Sequence, residues 1–83
     1  MSSIISLQDI FDFIMVNSNY LILLNALLKR KKWQYNTTLW KMLEMIAREY
    51  ADNRTQVFQK IYRHALKCNT CTELEDFLDN FSM

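Results

Sequence analysis

Residues 43–63 read LEMIAREYADNRTQVFQKIYR, with apolar side chains at helical spacing on both sides of a short break at Ala51–Asn53. Ile46, Ala47 and Tyr50 close the first half, and Val57 and Ile61 form the inward stripe of the second. This is helix-turn-helix spacing: a small residue, Ala47, lets a second helix cross closely, and Val57, ten positions later, anchors that helix to the first. Many such turns place Gly where this chain has Ala51, because Gly reaches the left-handed conformation cheaply. Ala51 therefore predicts either some strain or a longer turn.

Working outward, Leu39, Met42, Leu43, Ile46, Ala47 and Tyr50 share one broad face, so a helix precedes the break, with Asn36, Thr37 and Thr38 as connector and cap. Asp52 and Asn53 are good capping residues for the helix that follows, whose stripe of Val57 and Ile61 continues to Ala65. Upstream, the cluster Asn17-Ser18-Asn19 can cap a helix running from Tyr20 to about Lys31, whose basic end suits the negative pole of a helix. That segment is apolar nearly all round, which predicts a central buried helix or a face shared with another copy. An earlier helix is expected from Ile4, Leu7, Ile10, Phe11 and Ile14, with Ser6 and Asp9 at capping-box spacing. Downstream, Thr70 with Glu73 repeats that spacing ahead of Leu74, Phe77, Leu78 and Phe81. The expectation is an all-α fold of about five helices, one domain over residues 1–83, with the helix-turn-helix at about 39–68.

Composition agrees and excludes whole classes of chemistry. The 83 residues contain neither Gly nor Pro, so a phosphate-cradling loop of the Walker or dinucleotide type cannot be built. Hydrophobic residues make up 51% of the chain, too many for disorder. The net charge of +1 hides a division along the chain. Residues 29–67 hold all ten basic residues against three acidic ones, whereas residues 1–28 carry only Asp9 and Asp12, and residues 68–83 carry only Glu73, Glu75, Asp76 and Asp79. A basic middle between acidic ends is what an anion-binding face needs. Two cysteines and no signal-like N-terminus predict a reducing, cytoplasmic setting, and the longest apolar stretch, Tyr20–Leu28, is about half of a membrane span.

Cys68 and Cys71 form a Cys-x-x-Cys pair with His64 one turn earlier, but a structural zinc site wants four ligands and no further Cys or His exists in the chain. His64 is the only histidine, and no motif places a nucleophile beside it, so no enzymatic activity, cofactor, metal or small-molecule substrate is expected. The outward residues of the second helix, Thr55, Gln56, Gln59, Lys60 and Arg63, instead suit the major groove. Gln can bond adenine bidentately, and Arg or Lys can bond guanine or hold phosphate. Arg54, His64 and the basic run Lys29–Lys32, with Lys31 and Lys32 at its end, are candidate phosphate contacts.

From about Ile10 to His64 the chain resembles the C-terminal DNA-binding effector domain of the sporulation master response regulator of endospore-forming Firmicutes. The matching stretches are Tyr20-Leu21-Ile22-Leu23 with Ala26, Ile46-Ala47-Arg48-Glu49-Tyr50, Val57 with Ile61, and Arg63-His64-Ala65. The resemblance implies a bacterial transcription regulator binding double-stranded DNA, free-standing here because 83 residues leave no room for the receiver domain. Two registers stay open. Aligned on Val57, the family's base-reading pair falls on Phe58 and Gln59; aligned on Arg63-His64-Ala65, it falls on Gln59 and Lys60. A homodimer on two half-sites is plausible for this motif. The alternative is an interaction module that keeps the fold without DNA readout and uses Phe58 and Tyr62 as apolar anchors for a partner protein.

Overall fold

The computed structural model describes residues 19–83, and over that span the chain is all-α: α1 Asn19–Arg30, α2 Thr37–Glu49, a 3-10 turn at Ala51–Asn53, α3 Arg54–Lys67 and α4 Cys71–Asp79. No strand occurs among the described residues. Four of the five expected helices are these; the one expected around Ile4–Ile14 lies outside the described residues.

Local chemistry sets the helix ends. Asn36 is the N-cap of α2, its Oδ1 accepting from the Leu39 amide at 3.0 Å. Thr70 caps α4 by accepting from the Glu73 amide at 3.2 Å, and Glu73 reaches back to the Asn69 amide at 2.8 Å, one residue earlier than a strict capping box. With no Gly available, α1 closes on a lysine: Lys32 sits at φ 64°, the only positive φ among the described residues. Its amide donates to the Lys29 carbonyl at 3.1 Å, and the Trp33 amide donates to the Leu28 carbonyl at 2.9 Å. These are the two bonds of a Schellman ending, in which the left-handed residue normally has no Cβ.

The α2–α3 connection departs from one sequence expectation. Asp52 and Asn53 were the expected caps, yet Asn53 makes no side-chain capping bond to α3. The break is instead wound as the 3-10 turn, closed by the Asn53 amide on the Tyr50 carbonyl at 2.9 Å. Ala51 thereby avoids the left-handed region, and the longer turn is the solution this chain uses.

One core joins all four helices. α1 contributes Leu21, Leu24, Leu27 and Leu28; α2 Leu39, Trp40, Leu43, Ile46 and Ala47; α3 Val57, Phe58, Ile61 and Ala65; α4 Leu74 and Leu78. Each Val, Leu, Ile or Phe among them is worth about 1.5–3 kcal/mol when fully buried. Half-buried aromatics, among them Tyr20, Trp33, Tyr50, Tyr62, Phe77 and Phe81, close the periphery. The Trp40 indole N–H donates to the Gln34 carbonyl, so the largest core side chain also fixes the α1–α2 connection. The principal neighbour of α3 is α1, and α2 packs on α4. Ala47 and Val57 are both fully buried, as helix-turn-helix spacing requires, but α1 is the main support of the second helix. Nor is α1 buried all round: Ile22 and Leu23 point away from the core.

Candidate nucleic-acid interface

The inward stripe of α3 determines what its other side presents. Val57, Phe58, Ile61 and Ala65 are buried, so the opposite side carries Gln56, Gln59, Arg63 and Lys67 in a row along the helix, with Thr55 at one edge and Lys60 at the other. At 1.5 Å per residue the row from Gln56 to Lys67 is about 16 Å long, on the scale of a major-groove footprint. Gln56, Arg63 and Lys67 are exposed, and Gln59 is half-buried. Lys67 is absent from the sequence-derived site, although its spacing from Gln56, Gln59 and Arg63 could have found it.

Phe58 takes a different role from either one the sequence offered. It is fully buried, so it neither lies in a reading position nor anchors a partner. The register that puts the base-reading pair on Phe58 and Gln59 would assign a core side chain to solvent. In the other register Gln59 and Lys60 both lie on the accessible side.

The remaining candidates lie around this row. Lys60 is exposed; its Nζ donates to the Ser82 carbonyl at 2.8 Å and sits 5.4 Å from the centre of the Phe81 ring. The C-terminal residues thus run past one edge of the row. His64 is half-buried and stacks on Phe77, ring centres 3.8 Å apart and planes 11° from parallel, so it faces α4 and stands off the exposed row. Arg54 is half-buried, with its Nε donating to the Ala51 carbonyl at 3.1 Å across the turn.

Lys31 is employed differently from a free phosphate contact. Its Nζ donates to the Ala65 carbonyl at 2.8 Å and to the Cys68 carbonyl, and lies 4.7 Å from the Trp33 ring centre. An ammonium here meets carbonyls in the last turn of α3, where the helix's negative pole lies. These bonds tie the end of α1 to the end of α3. Lys29, Arg30 and Lys32 are exposed, with Lys29 and Arg30 on the side of α1 turned away from the core.

Among the described residues no group of three or more His, Cys, Asp or Glu could hold a metal ion. Both cysteines are free thiols. Burial and the Glu73 carboxylate push the Cys68 thiol up, whereas burial, a hydrogen bond to Glu75 at 3.3 Å and that carboxylate's charge push Cys71 up to about 12. Thiolate is the reactive form. On thiolate fraction alone, alkylation of Cys71 by iodoacetamide at pH 8 is therefore expected to run about a thousandfold slower than that of free cysteine, rising to the free rate in urea. Because the folded value lies above the ordinary 9.0, the stabilisation is complete below about pH 9 and is lost as pH rises toward 12. A urea series at pH 7, 9 and 10.5 should show that order.

No helix among the described residues is long and apolar enough to cross a membrane. No family model matches this chain, and no curated protein or solved structure matches it at a significant level.

Proposed function

We propose that this protein is a helix-turn-helix transcription regulator that binds double-stranded DNA, with α3 in the major groove, as its resemblance to the sporulation regulator's effector domain implies. The observation that carries the reading is the row Gln56, Gln59, Arg63 and Lys67: amide, guanidinium and ammonium groups at helical spacing, opposite a fully apolar buried stripe. Gln59 and Arg63 are assigned to bases, with Thr55, Gln56 and Lys60 beside them. Lys32, Lys67 and the exposed Lys29 and Arg30 hold phosphates. The reading carries with it a cytoplasmic, bacterial setting and two copies on two half-sites. The rival interaction module loses support where Phe58 is buried, since one of its two apolar anchors faces inward and Tyr62 is half-buried.

Two variants test the roles by anisotropy on a preferred and a scrambled duplex. Gln59→Ala is expected to lose about 1–3 kcal/mol on the preferred duplex and to relax selectivity at one or two bases. Lys32→Gly is expected to weaken both duplexes alike and to lower the salt slope by about one. The second variant has an independent signature. Lys32 occupies a left-handed position that costs a side chain about 1 kcal/mol, so Lys32→Gly should raise stability by about 0.5–1 kcal/mol while weakening DNA binding. Equal losses on both duplexes for both variants would contradict the division into base and phosphate contacts.

A further inference from the structure

Past α4 the chain runs along the flank of the exposed row. Phe81 is half-buried, its ring edge-on to Tyr50 at 5.5 Å and to Phe77 at 5.6 Å, so one side chain anchors the segment to the end of α2 and to α4. The Lys60 ammonium completes the anchor, 5.4 Å from the Phe81 ring centre, and donates to the Ser82 carbonyl at 2.8 Å. Beyond Phe81 the hold is light. Ser82 and Met83 are exposed, Met83 at 54%, and that carbonyl makes their one hydrogen bond among the described residues. We propose that residues 81–83 form an autoinhibitory strap: they hold the Lys60 ammonium in the free protein, and duplex DNA displaces them to engage it.

The proposal rests on the DNA reading above, and two observations carry it further. Lys60 is singled out among the cations of that side of α3, since the exposed Arg63 and Lys67 make no such contact among the described residues. Its place is also where DNA would come closest to the strap. A helix with its side chains is about 10–12 Å across and the major groove about 12 Å wide, so a seated helix has the phosphate walls at its flanks. Lys60 stands on one flank of the row, drawn toward Phe81 and Ser82. A phosphate oxygen carries charge and bonds an ammonium more strongly than a neutral carbonyl does, so it wins the exchange. The strap therefore lowers affinity without blocking the helix.

The test has two arms. In the free protein, Lys60→Met should loosen the strap: the backbone heteronuclear NOE of Phe81 and Ser82 is expected to fall while the values along α3 hold. Unchanged values at Phe81 and Ser82 would overturn the strap without reference to DNA. The second arm compares wild type, Phe81→Ala, Lys60→Met and the double variant by anisotropy on the preferred duplex. Phe81→Ala is expected to tighten binding about three- to tenfold, the scale of one hydrogen bond no longer given up, and to gain nothing in the Lys60→Met background. Damage to packing would weaken binding instead, so the sign separates release from damage. Unchanged or weaker binding by Phe81→Ala, or an equal gain without Lys60, overturns the strap and leaves the DNA reading standing. No binding by any variant at low salt overturns the DNA reading and the strap with it.

Discussion

Phe58→Ala is expected to cost about 3–5 kcal/mol of folding stability, the largest loss from any single truncation on α3. The side chain is fully buried in the cluster shared by all four helices, and removing it leaves a cavity where they meet. A domain of this size has about 4–12 kcal/mol in total, so the variant should retain little cooperative unfolding at 37 °C. Urea denaturation followed by the fluorescence of Trp33 and Trp40 measures the loss directly. The same variant separates two views of the second helix. A Phe58 that read thymine methyls or anchored a partner would be replaceable at small cost to stability, with binding lost instead. A change below about 1 kcal/mol would place Phe58 outside the core and reopen the register that aligns on Val57.

Lys31→Met should cost about 2 kcal/mol, although it keeps the aliphatic stem and changes only the charged end. Hydrogen bonds from a charged donor contribute about 1.5–3 kcal/mol, more than neutral ones. Here the ammonium serves two carbonyls at the end of α3 and lies over Trp33. Its loss leaves those carbonyls without that partner and releases the strap between the end of α1 and the end of α3. With a urea dependence near 1 kcal/mol per molar for a small domain, the midpoint should fall by about 2 M. A phosphate-contacting lysine would behave in the opposite way, with unchanged stability and a salt slope lower by about one. Comparing Lys31→Met with Lys32→Gly therefore distinguishes a structural cation from a binding one at adjacent positions.

That contrast shows what sequence could and could not supply. Helix positions were legible because they depend on local periodicity and capping: Asn36 and Thr70 cap the helices they were expected to cap, and the stripe Val57, Ile61 and Ala65 is buried. Phe58 was ambiguous because it lies beside that stripe, and only the arrangement of neighbouring helices decides that the buried sector of α3 extends to include it. The bonds of Lys31 were hidden from sequence for a similar reason. Its partners, Ala65 and Cys68, are more than thirty residues away, and no spacing rule joins a basic run to the end of a distant helix. His64 likewise owes its place to Phe77, a contact across two helices. The turn at Ala51–Asn53 was expected to be capped, but a 3-10 wind can satisfy the backbone without a side chain. Lys67, by contrast, was within reach of the 3.6-residue period all along.

The central claim is that α3 reads duplex DNA, and the most direct measurement is fluorescence anisotropy of the full chain against two duplexes over a salt series. One duplex carries the box recognised by the family it resembles, and the other is a scramble of the same composition. DNA binding through Arg63, Lys67 and the Lys29–Lys32 end predicts affinity that falls steeply with salt on both, because each phosphate contact releases counterions. Base reading through Gln59 and Arg63 predicts tighter binding to the preferred box by at least about tenfold at every salt concentration. Salt-steep binding without preference would keep DNA as the partner but deny this target. No binding to either duplex at low salt would contradict the claim.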